Sequence, residues 1–236
     1  MGIQICFEDE YIIAVNKPNN VLVHHSFMAR NMDEESTLIE LLQEQLNLKF
    51  FPAHRLDRKT SGIILLVKKR TEVKQFQDLF KLNKIHKTYH ALVRGFAPES
   101  GTIDSPVKGR DSNVHRDAHT DYRKLQEICL DIPVHPYQNS RYSLLELKPQ
   151  TGRLHQLRIH LNKISHPIVG DPKYGDRFHN RMFEEELGMS KLFLHASSLT
   201  FNHPFTNKEV CLKAKFPVEW CKIKDRFDWD VDFDGF

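Results

Sequence analysis

The sequence predicts an α+β fold in a single domain over residues 1–236. Short alternating and apolar runs of strand type interleave with amphipathic helical stretches, yet no βαβ rhythm appears. No internal repeat or Pro/Gly-rich linker divides the chain. With 236 residues, 40% of them hydrophobic, there is material for a substantial core.

The elements follow in order. Ile3 to Phe7 alternates as a strand, Glu8-Asp9-Glu10 turns, and Tyr11 to Val15 returns as the second arm of a hairpin. Thr37 and Glu40 have capping-box spacing, with Leu38, Leu41, Leu42 and Leu46 marking one helical face. Thr71 is placed to cap a helix carrying Val73, Phe76 and Phe80. His86 to Arg94 reads as a strand with Tyr89, Ala91 and Val93 on one face. Residues 98–140 hold Pro98, Pro106, Pro133 and Pro136, so two or three strands joined by exposed loops are expected there. Tyr142 to Leu147 is a strand, and Leu154 to Asn162 repeats leucine at helical spacing. Leu192 to Phe201 and Glu209 to Ala214 are late strands, and Pro217 opens a last helix bearing Trp220 and Ile223. The tail over 228–236 alternates Asp with aromatic and apolar residues and is expected to be loosely held.

Composition excludes several classes. Net charge is only +3, so the placement of charges says more than their sum. Cys6, Cys129, Cys211 and Cys221 form no Cys-x-x-Cys pair and no secreted disulfide framework. Neither the dinucleotide-binding glycine pattern nor the P-loop is present, and the 14 histidines lack metal-ligand spacing. The expectation is a soluble, cytoplasmic protein without metal or cofactor, and with no membrane or obligatory protein partner.

Two stretches carry chemistry. His54-Arg55-Leu56-Asp57-Arg58-Lys59-Thr60-Ser61-Gly62 sets one carboxylate among three basic side chains, directly before the apolar run Ile63 to Val67. Nearby positive charge favours the ionised form of a carboxylate, which suits a well-aimed charge beside an anionic substrate. The bland alternative for Asp57 is a residue that merely shapes the turn. The second stretch runs from Thr151 to Leu161, where Arg158 lies beside the apolar face of Leu154, Leu157 and Leu161. A guanidinium there is part-buried and needs an anion; the alternative is a solvated surface arginine.

Together the motifs resemble the RluA family of RNA pseudouridine synthases. His54-Arg55-Leu56-Asp57 with Thr60-Ser61-Gly62 is similar to that family's signature, and Lys17-Pro18 to its first motif. Lys87, Tyr89, Ala91, Val93 and Gly95 resemble its K-x-Y-x-A-x-V-x-G strand. Thr151-Gly152-Arg153, His155-Gln156, Arg158 and His160-Leu161 resemble its T-G-R segment, and Leu194-His195-Ala196 with His203-Pro204-Phe205 its closing strand. One departure is Lys17-Pro18-Asn19-Asn20 where the family reads Lys-Pro-x-Gly. Asn is the non-glycine residue most tolerant of positive φ, so the turn is expected to survive. The chain starts directly with its first strand, so no N-terminal S4 domain is expected.

The resemblance implies a pseudouridine synthase fold with a mainly antiparallel central sheet, and isomerisation of uridine to pseudouridine in RNA. It implies Asp57 as the catalytic carboxylate, with C6 addition, C1′ attack and a glycal route all open. It implies Arg158 paired with Asp57, Tyr89 stacked on the target base, and Arg55 entering the gap left by the flipped nucleotide. Extruding a base costs about a few kcal/mol and stacking returns about 1–3, so Tyr89 offsets much of that cost. Leu22-Val23-His24-His25-Ser26 and the stretch from Pro133-Val134 to Arg141-Tyr142-Ser143 resemble a tRNA-modifying branch and imply uridine 65. Ribosomal RNA or another tRNA position is the alternative, and an RNA-binding or chaperone protein on the same fold is the rival of another class. A carboxylate glycosidase needs a second opposed acid, which the motifs do not offer. Lys68-Lys69-Arg70, Lys81, Lys84, Lys87, Lys108, Arg110, Arg116 and Arg123-Lys124 are candidate phosphate contacts, most of them ordinary solvated residues.

Overall fold

A computed structural model describes residues 2–25, 35–109 and 114–233. Ser26 and Arg110, both named above, and the tail end 234–236 lie outside the described residues. In chain order the elements begin with β1 (Gln4–Glu8), β2 (Ile12–Lys17), α1 (Leu38–Leu46), β3 (Phe51–Pro52) and β4 (Ser61–Val67). Next come α2 (Val73–Lys81), β5 (His86–Arg94), β6 (Ser100–Asp104), β7 (Val107–Lys108), β8 (His115–Arg116) and β9 (His119–Leu130). The remainder are β10 (Ser140–Pro149), α3 (Gln156–Lys163), α4 (Arg177–Leu187), β11 (Leu194–Asn202), β12 (Glu209–Lys213) and α5 (Val218–Phe227). This is the expected α+β fold with mostly antiparallel strands.

Contacts group the chain into two compact units. The first comprises residues 1–86 and 196–217. Its strands run in the order β1-β2-β4-β11, with β3 on β4 and β12 on β11. Asp9 makes the β1–β2 turn, its Oδ1 accepting from the Tyr11 and Ile12 backbone N–H groups at 2.8 Å each. Every residue of β4 is buried, which is why it reads as an unbroken apolar run rather than an alternation. The β2–β4 register sets Lys17 opposite Gly62, so the ends of two motifs meet across one strand pair. At α1 the predicted capping box is present, Thr37 accepting from Glu40 N and Glu40 reaching back. Thr71 caps nothing: it sits in a 3-10 turn, Arg70–Glu72, that leads into α2. That turn uses Thr71 as a helical residue, leaving its hydroxyl no N-cap geometry.

The second unit comprises residues 87–195 and 218–235. Its strands run β5-β10-β9-β6, all antiparallel. One face buries Ala91, Val93, Leu145 and Leu147 against Leu157 and Leu161 of α3, with Tyr89 partly buried at the margin of this core. Helix α4 has no counterpart among the sequence expectations. Its signals are Asp176, whose Oδ1 accepts from Phe178 N and His179 N, and Gly188, which closes the helix at φ 66°. Against the expectation of a loosely held tail, Trp229 and Phe233 are buried. Phe233 packs edge-on to Trp220 at 5.8 Å and Trp229 to Phe227 at 5.1 Å, so residues of α5 recruit the tail's alternate aromatics.

Candidate active site

Asp57 sits, half-buried, on the irregular segment between β3 and β4. The segment is pinned from below by Lys17, which is fully buried at the end of β2. Lys17 Nζ donates to the carbonyls of Pro18 at 2.8 Å, Val21 at 2.9 Å and Arg58 at 2.9 Å, using all three ammonium protons. Burial pushes its pKa down to about 7, while the charge of Asp57 pulls it up and that of Arg58 adds to the depression. The next two residues of the same turn repeat the pattern. Asn19 Nδ2 donates to the Lys59 carbonyl, and Arg58 Nε donates to Asn20 O at 3.3 Å and Oδ1 at 3.1 Å. Asn20 has φ 66°, so the departure from Lys-Pro-x-Gly is absorbed by the residue best able to do so. Arg58 itself is ion-paired with Glu35.

The other side of the segment is equally fixed. Thr60 N donates to the Asp57 carbonyl at 3.1 Å. His54 Nε2 accepts from Leu65 N at 2.9 Å, and its ring stacks on Phe80 at 4.3 Å, so His54 is a structural anchor. Gly62 has φ 113°, and a Cβ on it would lie 2.1 Å from the Ala196 carbonyl oxygen. Glycine is therefore demanded twice, by conformation and by the close approach of β11. Arg55 is exposed and sits two residues before Asp57.

In the second unit Tyr89 lies on β5 opposite Leu147 of β10. Its ring packs partly on the core that Leu157 helps form and keeps some exposure, as an aromatic available for stacking requires. Arg158, adjacent to Leu157, is buried, and it has the anion its position demands. Its Nε and one terminal nitrogen donate to the two Asp171 oxygens at 2.7 Å and 2.8 Å. Burial raises the Asp171 pKa, but the Arg158 hydrogen bonds and charge and the Lys173 and Tyr174 N–H groups outweigh it and hold the carboxyl below its ordinary range.

Helix α3 starts two residues later than its leucine spacing predicts. His155 is the N-cap, in the left-handed region at φ 54° and ψ 21°, so it is no helical neighbour of Arg158. The cause is Gln156, whose Oε1 accepts from the Thr151 hydroxyl at 2.7 Å and Arg153 N at 3.0 Å. Its Nε2 donates to His119 O and Thr120 Oγ1. His160 Nε2 donates to Ser105 O at 2.8 Å, leaving Nδ1 to accept from Thr120 at 3.0 Å; burial lowers its pKa, and it serves structure.

The basic residues divide. Lys68 pairs with Glu8, Lys69 with Glu10 and Glu72, Arg123 with Glu146, and Lys124 with Glu99 and Glu127. Lys81, Lys84, Lys87, Lys108 and Arg116 make no ion pair among the described residues and are the better phosphate candidates. Sequence reasoning missed the tether made by Lys17 and the pairing of Asp171 with Arg158. The Gly170-Asp171-Pro172-Lys173-Tyr174-Gly175 run, two glycines around polar residues, was the available signal.

The first unit thus carries a carboxylate on a doubly pinned loop, and the second carries a partly exposed strand tyrosine and an arginine clamped by its own aspartate. Residues 11–163 match the family described as RNA pseudouridylate synthase, and the chain belongs to that family. It is an isomerase, a pseudouridine synthase of the RluA type. The tRNA pseudouridine synthase C of Vibrio parahaemolyticus is 38% identical over 240 residues, covering 98% of this chain and 97% of that one. That of Pasteurella multocida is 36% identical, covering 98% and 99%. Among solved structures, human RNA pseudouridylate synthase domain containing 4 superposes with a TM-score of 0.72 at 25% identity, over 97% of this chain and 94% of that one. Human RNA pseudouridylate synthase domain containing 1 gives 0.70 at 22% identity and shares the fold.

Proposed function

We propose that this chain isomerises uridine 65 of tRNA to pseudouridine, with Asp57 as the nucleophile and the whole chain acting as one catalytic domain. The reaction breaks the N1–C1′ bond, turns the uracil and forms C5–C1′, releasing the C5 hydrogen. Tyr89 stacks on the extruded base. Arg158 contacts the substrate from a fixed position, and Arg55 fills the gap the base leaves. The observation that carries the reading is the Asp57 segment: its backbone is held by Lys17, Asn19 and Thr60 while Asp57 itself stays half-buried. A catalytic group needs this combination of fixed aim and access. The names of relatives matching nearly the full length support tRNA as the substrate. Action on tRNA supports a cytoplasmic location; separately, no helix among the described residues is long and apolar enough to cross a membrane.

The test is tritium release from tRNA labelled at uridine C5, for the wild type and Asp57→Asn, followed by mapping of the pseudouridine. Release by the wild type alone, mapped to position 65, is the expected result. Release from ribosomal RNA only, or at another tRNA position, overturns the substrate assignment. Undiminished release by Asp57→Asn overturns the nucleophile. Binding of RNA without release from either substrate leaves an RNA-binding protein.

A further inference from the structure

Three side chains meet around Tyr174, a residue to which neither the reaction nor the family motifs give a part. Its hydroxyl lies 3.1 Å from His155 Nδ1. Its ring faces the Arg158 guanidinium, 5.2 Å from centroid to carbon, and Lys173 Nζ stands 5.2 Å from the same centroid. Its backbone is held on both sides: Tyr174 N donates to Asp171 Oδ1 at 3.1 Å, and its carbonyl accepts from Asn162 Nδ2 of α3 at 2.7 Å. Asp171, which binds Arg158 through both oxygens, therefore also holds the backbone of the residue that covers Arg158.

We infer that Tyr174 is a positioning residue of the pseudouridine synthase reaction, orienting Arg158 through its ring and His155 through its hydroxyl. A guanidinium fixed in its own plane by Asp171 can still tilt about that contact; an aromatic face across it removes the freedom. His155 occupies a left-handed conformation at φ 54°, unfavourable for a side chain of its size. Such conformations persist where surrounding contacts over-determine them, and the Tyr174 hydroxyl is one of those contacts. The inference rests on the proposed role of Arg158 at the substrate, and the experiment separates the two.

The measurement is single-turnover tritium release on whichever RNA the wild type turns over, with RNA affinity and melting temperature in parallel. Tyr174→Phe keeps the ring and loses the hydroxyl; Tyr174→Leu loses both. Tyr174→Phe is expected to slow the chemical step by about 5–10-fold, with RNA affinity within about twofold and melting within about 2 °C of wild type. Tyr174→Leu is expected to slow it by about 100-fold. In a His155→Gly background, where positive φ is free, Tyr174→Phe is expected to have no further effect. Wild-type rates for Tyr174→Phe, or losses that track melting or RNA affinity, or additivity with His155→Gly, each overturn the inference. An Arg158→Lys variant at wild-type rate, beside a slowed Tyr174→Phe, defeats the reading of Arg158 and leaves the hydroxyl's action through His155 standing.

Discussion

Lys17 Nζ donates to the Arg58 carbonyl at 2.9 Å, tying the end of β2 to the residue that follows Asp57. The β2–β4 register makes this possible by setting Lys17 opposite Gly62, at the point where the Asp57 segment enters β4. Lys17→Met keeps the volume and removes every donor. The three carbonyls it leaves are part-buried and regain some water, so a loss of about 1–3 kcal/mol in all is expected. Activity should fall by more than about 100-fold in the folded fraction, because the backbone that aims Asp57 loses its tether. Urea denaturation and tritium release by the same preparation check both. A stable variant with normal release would show that the tether does not aim the carboxylate.

Arg158 and Asp171 form a bidentate pair with both side chains buried. Asp171→Leu takes a bidentate acceptor from the buried Arg158 guanidinium and an acceptor from the Lys173 and Tyr174 N–H groups, so it should destabilise by about 3–5 kcal/mol. The double variant Arg158→Met, Asp171→Leu removes both charges, leaves only the Lys173 and Tyr174 N–H groups without their acceptor, and should recover part of that loss. It should still be inactive, since the guanidinium is gone. Denaturation midpoints of the three proteins, read beside their rates, separate folding from chemistry. Restored activity in the double variant would remove Arg158 from the reaction.

Local chemistry was legible and long-range partnership was not. The Thr37–Glu40 box, the bounds of β5 and the helix after Pro217 all depend on neighbours in sequence, and all stand in the structure. The need of Arg158 for an anion was also readable from its place beside a leucine face. That Asp171 meets this need was not, because the chain returns 13 residues later through a loop with no periodicity. Lys17 reads as an ordinary strand-end lysine until the strand register is known. Helix α4 escaped because its apolar face is interrupted by charges and Phe178 points outward, although Asp176 and Gly188 marked both ends. The tail misled because its polar alternation suits a solvated segment, whereas alternate aromatics find Trp220 and Phe227.

Gly62 and Gly188 offer a controlled comparison. Both have positive φ, 113° and 66°, but a Cβ on Gly62 meets three backbone atoms of Ala196 within 2.7 Å and one on Gly188 meets nothing. Gly188→Ala should cost about 1–2 kcal/mol, the price of the conformation alone. Gly62→Ala should exceed about 4 kcal/mol, because backbone cannot yield as a side-chain tip does. Thermal melts decide it. Equal costs would mean that β11 can retreat from β4 at this point.

Acid should unfold this protein through its buried histidines. His90 is buried on β5, and that burial, opposed by Glu146 and reinforced by Arg123, pushes its pKa down to about 4. The unfolded chain takes up the proton near the ordinary value of about 6.5. Between these values the unfolded state binds more protons, so stability is full above about 6.5 and declines as pH falls toward 4. Full protonation corresponds to a loss of roughly 3 kcal/mol from this residue. His160, His179 and His203, each lowered chiefly by burial, act in the same direction. Urea midpoints measured from pH 7.5 down to 4.5 should drop most steeply below about 6.5. His90→Gln should flatten that slope. A midpoint constant across the range, or a slope that the substitution leaves unchanged, would mean that His90 charges in the folded protein at little cost.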